Sequence, residues 1–216
     1  MRARHQRGRR LRFDGWIAGV GTASGTRLVV GYWPGSPWGP FADVMVEHPD
    51  GHRELLAPTP EVADFVAATY SFDAVTHCPV TVVPGAAAWR VTAGPLRMSV
   101  TPGRRDLLGR VLRAVPRRVA VQPAWAAVCD LPARWLMPGV RTRGSAGGGR
   151  REWYAALDHH LVTAVDATWD GTDLGPLRAV HPPVRFGFGS APRAPSLTRV
   201  VSTVELPPTQ NLNRTT

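Results

Sequence analysis

Apolar and polar positions alternate along the chain in short runs, and most runs are closed by Gly, Pro or Asp-Gly. That rhythm predicts a succession of strands and turns rather than long helices. Trp16–Gly21 and Thr26–Trp33, joined by Thr-Ala-Ser-Gly, predict a β-hairpin. The glycines there are spaced GxGxxxG and lead into the β-branched, aromatic stretch TRLVVGYW, so they read as turn residues and not as a dinucleotide loop. Phe41–Glu47 predicts a strand, and the turn Pro49-Asp50-Gly51-His52 pairs Val44–Glu47 with Arg53–Ala57. Thr59-Pro60-Glu61 opens a short helix, with Thr as the cap, Pro in the first turn and Val62, Phe65, Val66 and Tyr70 as its apolar stripe. Val75–Val83 predicts one strand, and Ala88–Ala93 with Leu96–Val100 a third hairpin about Gly94-Pro95. His160–Trp169 predicts a long strand closed by the turn Asp170-Gly171, Val184–Phe188 another, and Thr198–Leu206 the last. The total is about ten strands with no internal repeat.

Residues 103–150 differ in kind. Arg104–Val115 places Leu107, Leu108, Val111, Leu112 and Val115 on one stripe, an amphipathic helix ended by Pro116. Gln122–Asp130 and Ala133–Met137 predict two further short helices, and Gly144–Gly149 (GSAGGG) a flexible hinge. The chain thus reads as a basic arm over 1–12, a single β domain over 13–206 with a helical insertion at 103–150, and a polar tail over 207–216.

Charge sharpens that division. All 26 basic residues are Arg, which excludes a Schiff-base lysine, a P-loop lysine and a lysine general base. The net charge of +10 is concentrated: residues 1–12 carry six Arg and no acid, and residues 97–151 carry twelve Arg against Asp106 and Asp130. Arg in place of Lys is also what a GC-rich coding sequence produces, so nucleic-acid binding ranks last among the readings. Cys78 and Cys129 stand alone, with no paired spacing for zinc, and fit a reducing cytoplasm. No cofactor fingerprint is present. The twin arginines near the start are not followed by an apolar region, and no run is long enough to span a membrane, so the expected location is cytoplasmic. The arm itself reads as disordered, or as a start codon placed too early.

Period two in Phe41–Glu47 puts Asp43, Met45 and Glu47 on one face and Val44 and Val46 on the other. The two carboxylates either line a pocket as acid and base, or face water while the valines face the core. Arg185 alternates with Phe186 and Phe188, and on an interior face it would require an anion: Asp43, Glu47, Asp166 or a bound carboxylate. Arg141 and Arg143 flank the glycine hinge, and Tyr154 and His160 lie on the strand beyond it. The adjacent His159 and His160 point to opposite faces of a strand, which does not make a metal pair. There is no GxSxG nucleophile elbow.

Ser36–Glu47 (SPWGPFADVMVE) resembles the Gly-Pro-aromatic-x-acid strand entry of acetoacetate decarboxylase-like proteins. The hairpin, short helix and strand that follow, and the closing strand, are also similar; together they cover about half the chain. The resemblance implies an antiparallel, cone-like β-barrel, mainly β with one packing helix, around a cavity for small organic acids, with Asp43 at the family's acidic position. It departs at Ser71-Phe72-Asp73, where the family carries a Pro-Lys pair, so Schiff-base decarboxylation is not available to this chain.

Two classes of function follow. In the first, a barrel binds a small anionic or apolar molecule, held by Arg185, Arg143, Arg141, Tyr154 and His160, and any catalysis is acid/base work by Asp43 or Glu47. In the second, the basic amphipathic helices of 104–137 act on an anionic membrane surface or another partner. The sequence does not decide between enzyme and binding protein, and edge strands leave room for a homodimer.

Overall fold

The computed structural model describes residues 9–122, 125, 143–145, 147–187 and 191–207. β1 (Arg10–Thr22) turns at Gly25, whose φ of 88° suits glycine, into β2 (Arg27–Gly35), with Ala18 opposite Val30. β3 (Phe41–Glu47) and β4 (Arg53–Ala57) extend the sheet, Val44 opposite Leu56. α1 (Pro60–Ala67) follows, its first turn closed by the Thr59 hydroxyl accepting from the Val62 N–H. The chain continues through β5 (Ala74–His77), β6 (Val80–Val83), β7 (Trp89–Ala93) and β8 (Leu96–Arg105). After α2 (Leu107–Ala114) and α3 (Arg117–Ala120) come β9 (Arg143–Ser145), β10 (Arg151–Trp169), β11 (Thr172–Asp173), β12 (Leu177–Arg178) and β13 (Ser196–Glu205).

All of these strands join one sheet, in the order β5-β4-β3-β2-β1-β13-β10-β8-β7-β6, with β9 and β11 on β10 and β12 on β1. Its outermost strands, β5 and β6, are consecutive in the chain, separated only by Cys78 and Pro79. Three chain steps reach about 11 Å at most, so the sheet has to curl until its ends nearly meet, and β6 lies against β3. The architecture is a mainly β, cone-like barrel, antiparallel apart from the β4–β5 pair.

Several expectations need correction. Val75–Val83 is two strands on opposite edges of the sheet, because Pro79 lacks the N–H that a continuous ladder requires. Residues 184–187 form no strand; they follow Pro182 and Pro183, and Val184 and Phe186 pack with Val180 against Met45 and Tyr70. β1 begins at Arg10, so residues 10–12 of the expected arm pair with β13, and Leu11 is buried. The described glycines of 144–149 are docked: Gly144 pairs with Glu152, and the Gly147 N–H donates to Thr69 O at 3.0 Å. Apart from Gln122 and Trp125, the helices expected over 122–137 lie outside the described residues.

Both faces of the sheet are covered. Ala18, Val20, Leu28, Val30, Val44, Val46 and Leu56 meet Val91, Met98, Val100 and Leu197 from the other side of the barrel, so this face is the interior. Among the described residues it is closely packed, and about 10 Å³ is left between Trp16, Tyr32, Trp89 and neighbouring aliphatics. Among the described residues, that interior face is lined mainly by aliphatic side chains of the barrel itself. The opposite face carries Leu11, Phe13, Leu55 and Val204 beneath Val62, Phe65 and Val66 of α1. Each such aliphatic or aromatic contributes roughly 1.5–3 kcal/mol when fully buried.

Candidate functional site

β3 delivers the expected alternation, Val44 and Val46 inward and Asp43, Met45 and Glu47 outward. The two acids nevertheless do not face water, with only 2% of Asp43 and 1% of Glu47 accessible. The outer face of β3 is roofed by α1 and the segment around Val184, which alternation within one strand cannot reveal. Glu47 is an ion-pair centre. Its carboxylate lies 3.3 Å from Arg27 Nη2 and 2.9 Å from Arg185 Nε, and it accepts the Arg185 backbone N–H at 2.7 Å. Arg185 thus finds one of its expected partners, but on the surface, with 66% of its side chain exposed.

Asp43 has a different setting. Trp33 Nε1 donates to it at 2.9 Å, and burial pushes its carboxyl up to about 7 despite that hydrogen bond. Gly31, directly opposite on β2, leaves the space: a Cβ there would stand 2.4 Å from both Asp43 Oδ1 and Trp33 Nε1. Close by on the same face is a second buried carboxylate, Glu152 of β10. It accepts from Ser202 Oγ at 2.7 Å and from the Tyr70 hydroxyl at 2.9 Å, and burial raises it against these bonds. Tyr154 stands 2.5 Å from Tyr70, hydroxyl to hydroxyl. Burial first, then the charge of Glu152, pushes both phenols well above their ordinary range, and Asp43 acts on Tyr154 as well.

The interior face ends in a mouth of opposite character. Trp16, Tyr32 and Trp89 are half-buried there, with Trp89 edge-on to each of the others at 5.6 and 5.7 Å. Arg199 lies over the Trp16 ring at 5.8 Å and pairs with Asp14, as does Arg117 of α3. Asp158 receives Arg105 at 2.7 and 2.8 Å and Arg113 of α2 at 3.5 Å. Burial works to raise Asp158, but the Arg105 hydrogen bonds and the His159 N–H outweigh it and hold the carboxyl below its usual range. His160 completes the rim, Nδ1 3.0 Å from Gly103 O and its ring 6.4 Å from Trp16. Among the described residues, four guanidiniums therefore share two carboxylates, and Arg199 lies over Trp16.

No family model matches the chain, and no curated protein matches it. Among solved structures it is similar to an acetoacetate decarboxylase from Legionella pneumophila. That match has a TM-score of 0.43 at 8% identity and covers 92% of this chain and 86% of the other. It is also similar to a protein described as a putative AttH from Nitrosomonas europaea, with a TM-score of 0.30 at 17% identity, covering 88% of this chain but 38% of the other. Scores this low assign neither an activity nor a residue role to this chain.

The residues that the sequence groups into one site occupy separate places. Asp43 and Tyr154 lie on the outer face, Glu47 and Arg185 form a surface-side ion pair, and His160 belongs to the mouth. Arg143 pairs through its backbone with Trp153, and Arg141 lies outside the described residues. His159 turns away from His160 to meet Asp106, Nδ1 to Oδ2 at 2.8 Å. Among the described residues no group of three or more His, Cys, Asp or Glu is arranged to hold a metal ion. Sequence reasoning missed Asp14, Asp158, Arg105, Arg199 and Glu152. The visible signal was a set of single charges inside otherwise apolar strands.

Proposed function

We propose that the protein binds a small organic anion with an apolar body at the barrel mouth. The carboxylate sits among Arg105, Arg113, Arg117 and Arg199, and the apolar body lies across the outer edges of Trp16, Tyr32 and Trp89 rather than in the small space between them. The observation that carries this reading is the charge imbalance of the network, four guanidiniums to two carboxylates among the described residues, with one of them, Arg199, lying over the half-buried Trp16 ring. Guanidinium forks match carboxylate geometry, and a few polar groups above an apolar floor fix a ligand's orientation. The chemistry includes no Schiff base, since the chain has no Lys. Asp43 and Glu47 lie on the outer face, across the sheet from this mouth, and His160 stands at the mouth beside Asp158 and Trp16.

Calorimetric titration with benzoate tests the reading. Wild type binds benzoate, benzyl alcohol binds far more weakly, and Arg199→Gln weakens benzoate by about tenfold or more, as loss of a charge-assisted hydrogen bond requires. No heat with benzoate, or equal binding by the variant, rejects it.

A further inference from the structure

The helix α2 meets the barrel on one side only. Gly109 lies so close to β10 that a Cβ there would stand 2.3 Å from His159 O, and Asp106 caps the helix by accepting the Gly109 N–H at 2.7 Å. The apolar stripe read from the sequence is split by this docking. Leu108 and Leu112 are half-buried, but Leu107 is 75% exposed and Val111 56%. These two are one turn apart and stand side by side on the outward flank. Val119 of α3 is 44% exposed.

Among the described residues of α2, α3 and their flanks, the exposed charge has one sign. Arg104, Arg110, Arg113, Arg117 and Arg118 are all exposed. Asp106, the only acid between residues 104 and 120, is taken up by the helix cap and by His159. An isolated globular surface gains nothing from holding Leu107 and Val111 in water among arginines. An amphipathic helix at a lipid headgroup layer gains twice, by burying the aliphatics at the acyl boundary and by placing arginines among anionic headgroups. Among the described residues no helix is long and apolar enough to cross a membrane, so the geometry is that of a helix lying on the surface.

We infer that the outward flank of α2, with Leu107 and Val111 as the inserting side chains and Arg110 and Arg118 as headgroup contacts, docks the protein on an anionic phospholipid surface. This is independent of ligand binding at the mouth, since Leu107, Val111, Arg110 and Arg118 take no part in the Asp14 and Asp158 pairs.

Flotation of the full chain tests it, with phosphatidylcholine vesicles made with and without phosphatidylserine. The protein floats with the phosphatidylserine vesicles only. The double substitution Leu107→Ser with Val111→Ser lowers the bound fraction at least about tenfold, from the transfer free energy of two aliphatics. Arg110→Gln with Arg118→Gln lowers it by a similar factor, at about 1 kcal/mol for each arginine. Circular dichroism and benzoate binding stay at wild-type levels in both variants. Absence of flotation with phosphatidylserine, or flotation unchanged by the Leu107 and Val111 substitutions, overturns the inference. So does concentration-dependent dimerisation, abolished by those substitutions, without vesicle binding; that result places a second copy on the patch.

Discussion

The hydroxyl of Tyr70 lies 2.5 Å from that of Tyr154, and Tyr70 donates on to the Glu152 carboxylate. Tyr70 sits just beyond the end of α1, whereas Glu152 and Tyr154 share one face of β10. The contact therefore fastens the helix that roofs the outer face to a strand more than eighty positions away. Arg150 reinforces it from beside, donating to Phe65 O at 2.8 Å and to the Thr69 hydroxyl at 2.6 Å.

Tyr70→Phe removes the hydroxyl and takes one donor from the buried Glu152 carboxylate. The expected loss is about 1–3 kcal/mol, read from the midpoint of urea unfolding at unchanged m-value. A change within error would show that the cluster does not hold the helix.

Burial of Asp43 makes stability depend on pH with a defined sign. Its carboxyl is raised from 3.8 to about 7 in the folded protein, so between these values the folded state binds more protons than the unfolded one. Asp43's favourable contribution is complete below pH 3.8 and is lost as pH rises through about 7. The full swing is roughly 4 kcal/mol at 1.36 kcal/mol per unit. Asp43→Asn keeps the shape and the Trp33 hydrogen bond but removes the charge. The variant is expected to be more stable than wild type at pH 8 and to approach it near pH 4, in denaturant titrations at both. Parallel pH profiles for the two proteins would contradict the assignment.

Much of the sheet could be read in advance because its signals are local. The hairpin turns, the bounds of β3 and the Thr59 cap each rest on a few adjacent residues. What could not be read depends on partners distant in sequence. The run from Val75 to Val83 is apolar throughout, and only barrel closure assigns its halves to opposite edges. Asp14 and Arg199 are 185 positions apart, and each looks like an ordinary surface charge until β1 and β13 pair. Periodicity puts Leu107 and Val111 on one stripe with Leu108 and Leu112 without saying which flank meets the barrel; the close approach of Gly109 to β10 turns Leu107 and Val111 outward. The alternation around Arg185 requires an anion but does not choose among Asp43, Glu47, Asp166 and a bound carboxylate; the segment that carries it forms no strand, and it pairs with Glu47 at the surface.

That pair separates structural from ligand roles. Glu47→Gln leaves Arg27, 4% exposed, without its counter-charge, and should cost about 3–5 kcal/mol. Arg185→Ala breaks a contact that is mostly solvated on the Arg185 side, and should cost less than about 1 kcal/mol. Chemical denaturation of the two variants gives the comparison. Equal losses would mean that Arg27 is satisfied from elsewhere.

The most direct test of the mouth as a binding site is the tryptophan indole N–H spectrum during a benzoate titration, with resonances assigned by single Trp→Phe substitutions. Trp16 and Trp89 shift together and saturably, and Trp33, whose N–H is held by Asp43 across the sheet, stays in place. Shifts at Trp33 with none at Trp16 and Trp89, or no shifts at all, contradict the account.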